Sequence, residues 1–302
     1  MSRLFDALKG AKGSRQGAGG KPGDEVWDAL GIDDSDQPLA LNDPDVMPGE
    51  THTPVLTEGF GPVFTEDTFV EGVAVEAEPA GAHLTEISLS DRARLIPNAA
   101  EPAISDHYRR LRTKIMQQQE QKSFRSLVVT SANPQEGKTV TVLNLALSFA
   151  MLPNFKVLVV DGDLRTGTLG GSLGVRDHLG LSDLINGSAV LEDVLLRSTE
   201  IPMHFMVRGM SRVSDIDASG LDIHFQRMTE LYDLVLVDTP PVNLIADAQL
   251  FAASCDAVLL VARAFSTTRK TLERAVQDLK RFRVIGTVLN GGSGQPYRHR
   301  YY

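Results

Sequence analysis

Cysteine is almost absent: the 302 residues contain one, Cys255. A lone thiol excludes an intrachain disulfide and suits a reducing compartment. Its setting, AASCDAVLLV, reads as a small core residue. Long hydrophobic runs are missing as well. No stretch approaches the roughly 20 apolar residues that cross a bilayer, and MSRLFDALKGAKGSRQ lacks an apolar signal core. The expectation is a cytoplasmic chain with no membrane span of its own, held at the membrane only through a partner. Basic charge is missing from one region: between Pro22 and Asp91 there is no Lys or Arg, while 17 of the 39 acidic residues lie there. Residues 1–21 and 92–302 each carry +4, so the formal net charge of -9 belongs to that acidic region. It does not count against a phosphate-binding site further along.

Residues 1–91 combine a Gly-rich start, GSRQGAGGKPGDE, with scattered Pro, Gly and Asp and few periodic apolar positions. Such a segment cannot bury enough surface to offset chain entropy, and it is expected to be a disordered, acidic N-terminal region. Leu4, Phe5 and Leu8 share one helical face beside Lys9 and Lys12, which fits a short frayed helix with no role, or a docking or membrane-surface helix. From residue 92 the pattern becomes alternating helix and strand. SLVVTS, KVLVVD, HFMVRG, LVLVD, AVLLVA and VIGTVLN are β-rich runs. Helical segments such as DHYRRLRTKIMQQQEQ, TVTVLNLALSFAML, LDIHFQRMTELY and TRKTLERAVQDLKRF lie between them. Continuous apolar strands separated by helices predict an α/β, three-layer fold with a mostly parallel sheet over 92–294.

Chemistry concentrates at three strand ends. Ala132-Asn133-Pro134-Gln135-Glu136-Gly137-Lys138-Thr139 has the spacing of a P-loop between a strand and a helix. Backbone N–H groups at a helix N-terminus point at an anion, and the helix dipole adds favourable potential. Lys138 is then expected on the β and γ phosphates, Thr139 on magnesium, and Gly137 where a Cβ would obstruct the backbone. The second strand ends in Asp161-Gly162-Asp163-Leu164-Arg165, whose carboxylates two residues apart suit a metal or its water shell. The third, LVLVD, ends in Asp238, the pattern of a second metal-side carboxylate.

Together these motifs resemble the Walker A, A′ and B set of the bacterial tyrosine kinases of capsular and exopolysaccharide biosynthesis. GLSDLI at 180–185 and the run from DTPPVNLIADAQ to TTRKTLERA add to the similarity, which covers about residues 100–302. The resemblance implies a P-loop autokinase using ATP and Mg2+. It assigns catalysis to Lys138, Asp161 and Asp163, nucleotide contact to Glu136, Gly137, Lys138, Thr139 and Asn290, and metal binding to Thr139, Asp163 and Asp238. It also implies a homo-oligomer, with the family's ring assembly, joined through a helix on which Asp106, Arg109 and Arg112 stand where the family has Glu, Arg and Arg. A membrane polysaccharide co-polymerase, or chain-length determinant, is the implied activator, and nucleic acid is not among the implied partners. The tail at 295–302, QPYRHRYY, holds three of the chain's five tyrosines, and the resemblance makes Tyr297, Tyr301 and Tyr302 autophosphorylation sites. A flexible tether would bring them into a neighbour's site at high effective concentration.

Two other readings use the same residues. A partitioning or positioning ATPase of the ParA/MinD kind shares the fold, but its signature lysine early in the loop is replaced here by Asn133. A pseudoenzyme that only binds nucleotide and regulates polysaccharide export would carry every required carboxylate, but misplaced.

Overall fold

The computed structural model describes residues 84–89, 93, 102–175, 177–211 and 218–292. The acidic N-terminal region up to residue 83 and the tail tyrosines Tyr297, Tyr301 and Tyr302 lie outside the described residues.

Apolar runs bounded by polar residues become the sheet. Strands β2 (Ser126–Ser131), β3 (Val157–Asp161) and β6 (Leu234–Asp238) are buried along their whole length. With β1 (Thr85–Ile87), β4 (Leu196–Ser198), β5 (Met203–Met206), β7 (Ala257–Arg263) and β8 (Val284–Asn290) they form one sheet in the order β1-β4-β5-β3-β6-β2-β7-β8. Every neighbouring pair is parallel except β4 and β5. The parallel strands thus bring their carboxyl ends to one edge, where ligands bind in open α/β sheets.

Alternating residues of each strand point to opposite faces, and each face has its own core. Leu127 and Val129 pack with Leu111 and Ile115 of α1 (Pro102–Gln121) and with Val142, Leu145 and Phe149 of α2 (Lys138–Ala150). On the other face, Val128, Leu158 and Val160 join Phe225 of α6 (Ala218–Leu231), Phe251 of α7 (Asp247–Ser254) and Leu272 of α8 (Arg269–Asp278). Short helices α3 (Thr168–Leu173), α4 (Leu181–Ile185) and α5 (Leu191–Val194) follow β3 in the chain. This is the three-layer arrangement expected from the sequence. Among the described residues no helix is long and apolar enough to cross a membrane.

The sheet also reaches beyond the expected start at residue 92. β1 pairs with β4 from Thr85↔Leu196 to Ile87↔Ser198. Just past it, Ser88 Oγ donates to Glu200 at 2.5 Å and the Leu89 amide donates to the same carboxylate at 3.3 Å. The ordered fold therefore takes in the last residues of what reads as the acidic region, because strand pairing satisfies backbone groups whatever the side-chain composition.

The candidate active site

β2 ends at Ser131 and the chain turns through 132–137 into α2. The turn depends on two left-handed residues, Gln135 at φ 61° and Gly137 at φ 88°. At Gly137 a Cβ would lie 1.9 Å from Asn290 Nδ2, so the loop closes against β8 only because that atom is missing. Four hydrogen bonds brace the turn. Asn290 Nδ2 donates to the Glu136 carbonyl at 3.1 Å, and Arg263 Nη1 donates to the Gln135 carbonyl at 3.0 Å. The Glu136 carboxylate accepts from the Asn133 amide at 3.0 Å and from Thr267 Oγ1 at 2.5 Å. Its carboxylate is 1% exposed and braces the loop from inside. The sequence places Glu136 among the nucleotide contacts; the fold leaves only its backbone for that purpose. Thr267, which completes the brace, escaped the sequence reading because it lies 131 residues away in the chain.

The carboxylates meet through sheet register. β3 and β6 are neighbours, and Asp161 stands opposite Asp238. Gly162 donates to the Asp238 carbonyl at 2.7 Å, and a Cβ at Gly162 would come within 3.0 Å of that oxygen. Asp161 is fully buried, its Oδ1 accepting from the Asp163 amide at 3.1 Å and its Oδ2 from the Leu169 amide at 3.0 Å. Burial, with Asp238 alongside, pushes its carboxyl well above the usual range. Asp163 is half-buried nearer the rim, where Oδ1 accepts from the Thr166 amide at 3.0 Å and Oδ2 from the Thr166 hydroxyl.

Asp238 links this group to the phosphate loop. Its Oδ2 accepts from Thr139 Oγ1 at 2.5 Å, at the first turn of α2. Burial pushes its carboxyl up to about 6, against the opposing pull of the Thr139 bond and the Lys138 ammonium. Its other oxygen, Oδ1, is buried with no hydrogen-bond partner. A buried carboxylate oxygen left unsatisfied is costly, and a hydrated divalent cation beside the Thr139 hydroxyl would satisfy it. Among the described residues no three His, Cys, Asp or Glu side chains converge as metal ligands. Magnesium fits such a site, since it keeps several waters and takes its remaining oxygens from phosphates and one or two protein groups.

The sequence also expects Asp106, Arg109 and Arg112 to line one outward seam. In α1, Asp106 and Arg109 do pair at 2.5 Å, with both side chains about half exposed. The Arg112 guanidinium donates within the chain, to the Ser148 carbonyl in the last turn of α2, one of the carbonyls a helix end leaves open. Two of the five tyrosines are described, and both are core-facing. Tyr108 packs against the core and Tyr232 is 5% exposed, hydrogen-bonded to His204 at 2.7 Å.

No protein-family model matches the chain. The tyrosine-protein kinase CpsD of Streptococcus pneumoniae serotype 4 is 34% identical over 169 residues, covering 54% of this chain and 74% of the relative. The tyrosine-protein kinase YwqD of Bacillus subtilis is 29% identical over 196 residues, covering 62% and 81%. The solved kinase domain of the Escherichia coli tyrosine kinase ETK superposes with a TM-score of 0.58 at 25% identity, covering 73% of this chain and 96% of that domain. The chain therefore is a protein-tyrosine kinase and belongs to the bacterial tyrosine-protein kinase family.

Proposed function

We propose that the chain is an ATP- and magnesium-dependent autokinase that phosphorylates tyrosines in its own C-terminal tail and thereby regulates exopolysaccharide polymerisation or export. The observation that carries this reading is the convergence of Thr139, Asp161 and Asp238 at one strand edge, with Asp238 Oδ1 buried and unpartnered. Bound MgATP supplies the phosphoryl group and the charge that neutralises it in transfer. The amides that open α2, with Lys138, hold the phosphates. Thr139 and Asp238 would hold the magnesium ion, Asp238 through its water shell. Asp163, half-buried, would receive the proton of an incoming tyrosine hydroxyl. Asp161 beneath it fixes that turn through its bond to the Asp163 amide.

The tail is favoured as acceptor because Tyr108 and Tyr232 pack into the core, so the remaining tyrosines Tyr297, Tyr301 and Tyr302 are the ones a neighbour's site can take. Phosphorylation adds about -1.5 to -2 charge per tyrosine beside Arg298, His299 and Arg300, changing what the tail attracts. The proposed organisation is an acidic N-terminal region, a kinase domain whose sheet starts at β1, and a tyrosine tail from residue 295. Assembly with copies of itself and recruitment to the membrane's inner face by a polysaccharide co-polymerase complete the proposal.

The test is incubation of the purified protein with ATP and magnesium, with the co-polymerase's cytoplasmic segment added, and mapping of phosphotyrosine by mass spectrometry. Wild type should label at the tail, while Lys138→Met and a chain ending at Gly294 should not. An unlabelled wild type removes the kinase reading, and labelling of Lys138→Met shows the site to be elsewhere.

A further inference from the structure

The turn that follows β7 carries two anomalies at one residue. Phe265 is 45% exposed although it is a large aromatic, and its backbone stands at φ 59°. A left-handed conformation is rare outside Gly, Asn and Asp, and for a bulky side chain it is an outlier that the surroundings must enforce. The enforcing bonds are visible. The Ala264 amide donates to the Asn290 carbonyl at 2.8 Å, and the Thr267 amide donates to the Arg263 carbonyl at 2.9 Å. Thr267 Oγ1 also accepts from the Arg263 amide at 2.8 Å.

The same turn is bolted to the phosphate loop on either side of Phe265. Arg263 reaches the Gln135 carbonyl, and Thr267 reaches the Glu136 carboxylate. Asn290, paired in register with Arg263, leans on Gly137. An exposed aromatic ring is thus held in a strained turn that shares its bonds with the loop proposed to hold the triphosphate. Phe265 belongs to neither hydrophobic core. Asn or Gly would take the left-handed backbone at lower cost.

We propose that Phe265 is the platform for the nucleotide base, stacking on the purine while the loop it is bonded to holds the phosphates. The proposal rests on the phosphate-loop reading above and extends it to the base. A π-face suits any flat heterocycle, so Phe265 supplies affinity for the base without reading its edge. Asn290 and the Arg263 turn fix its height relative to the loop.

The experiment compares calorimetric binding of Mg-ATP and of magnesium tripolyphosphate, which has no base, to the full chain and to two variants. Phe265→Asn removes the ring and keeps a left-handed-tolerant residue; Phe265→Trp keeps an aromatic face. Phe265→Asn should weaken ATP about tenfold or more, the loss seen when a base leaves an aromatic platform, and leave tripolyphosphate binding unchanged. Phe265→Trp should retain wild-type ATP affinity, and Phe265→Asn should melt no lower than wild type. Unchanged ATP binding by Phe265→Asn, or equal weakening of ATP and tripolyphosphate, overturns the proposal. Failure of the wild type to bind either ligand overturns instead the phosphate-loop reading on which it rests.

Discussion

Replacing Asp238 by Asn should stabilise the nucleotide-free protein while removing its function. The Asp238 carboxyl is held up to about 6 in the folded chain, against an ordinary value of 3.8. Because the folded value is the higher one, the group's contribution to stability is fully present below pH 4 and is lost as pH rises through about 6. A difference of about 2 units corresponds to about 3 kcal/mol at pH 7.5. Asparagine has the same shape and no charge, so it avoids that cost, and Thr139 Oγ1 can still donate to its carbonyl oxygen. The side-chain NH2, placed where Oδ1 now lacks a partner, lowers the gain by about 1 kcal/mol. The net of about 2 kcal/mol should raise the melting temperature by roughly 4–8 °C at pH 7.5. The gain should shrink towards zero at pH 4.5, where wild-type Asp238 is largely protonated. In Mg-ATP the order should reverse, since only the wild type offers a carboxylate to the metal's water shell. Thermal melts at the two pH values, with and without Mg-ATP, and a phosphotyrosine assay test this directly. A variant that melts below wild type at pH 7.5 without ligand, or whose gain is equally large at pH 4.5, would refute the argument that a desolvated charge sits at this position.

Two further expectations concern the supports of the site. Gly137→Ala should cost about 2 kcal/mol in urea unfolding, from left-handed strain and loss of the Asn290–Glu136 bond. Adding Asn290→Ala should recover the collision but not the strain, which a double-mutant cycle separates. Arg112→Ala should cost about 1–2 kcal/mol by leaving the Ser148 carbonyl open, whereas Asp106→Ala, which breaks an exposed pair, should change stability by less than about 0.5 kcal/mol. If sedimentation shows that Asp106→Ala shifts the oligomeric state while Arg112→Ala does not, the division of labour along α1 is confirmed.

The central strands were legible because four-residue apolar runs leave little choice: LVLVD and VLVVD occupy the bounds their composition implies. Their terminal carboxylates could be named for the same reason, since a buried strand that ends in Asp delivers it to the sheet edge. β1 and β4 were not legible. TEI and LRS are three residues long, and their pairing comes from backbone bonds between segments about 110 residues apart. The inward role of Glu136 was hidden likewise, because its partner Thr267 belongs to a different strand's exit. Arg112 looked like its outward neighbours because spacing along a helix gives a direction, while only the position of α2 decides what waits there.

The placement of β1 has a practical consequence at the outer margin of the sheet. It covers Leu196–Ser198, which would otherwise present open backbone donors and acceptors to any passing chain. A shortened protein beginning after Leu89 keeps every residue of the catalytic edge yet loses this cover. Its self-association would then report a bared strand and not the assembly proposed above.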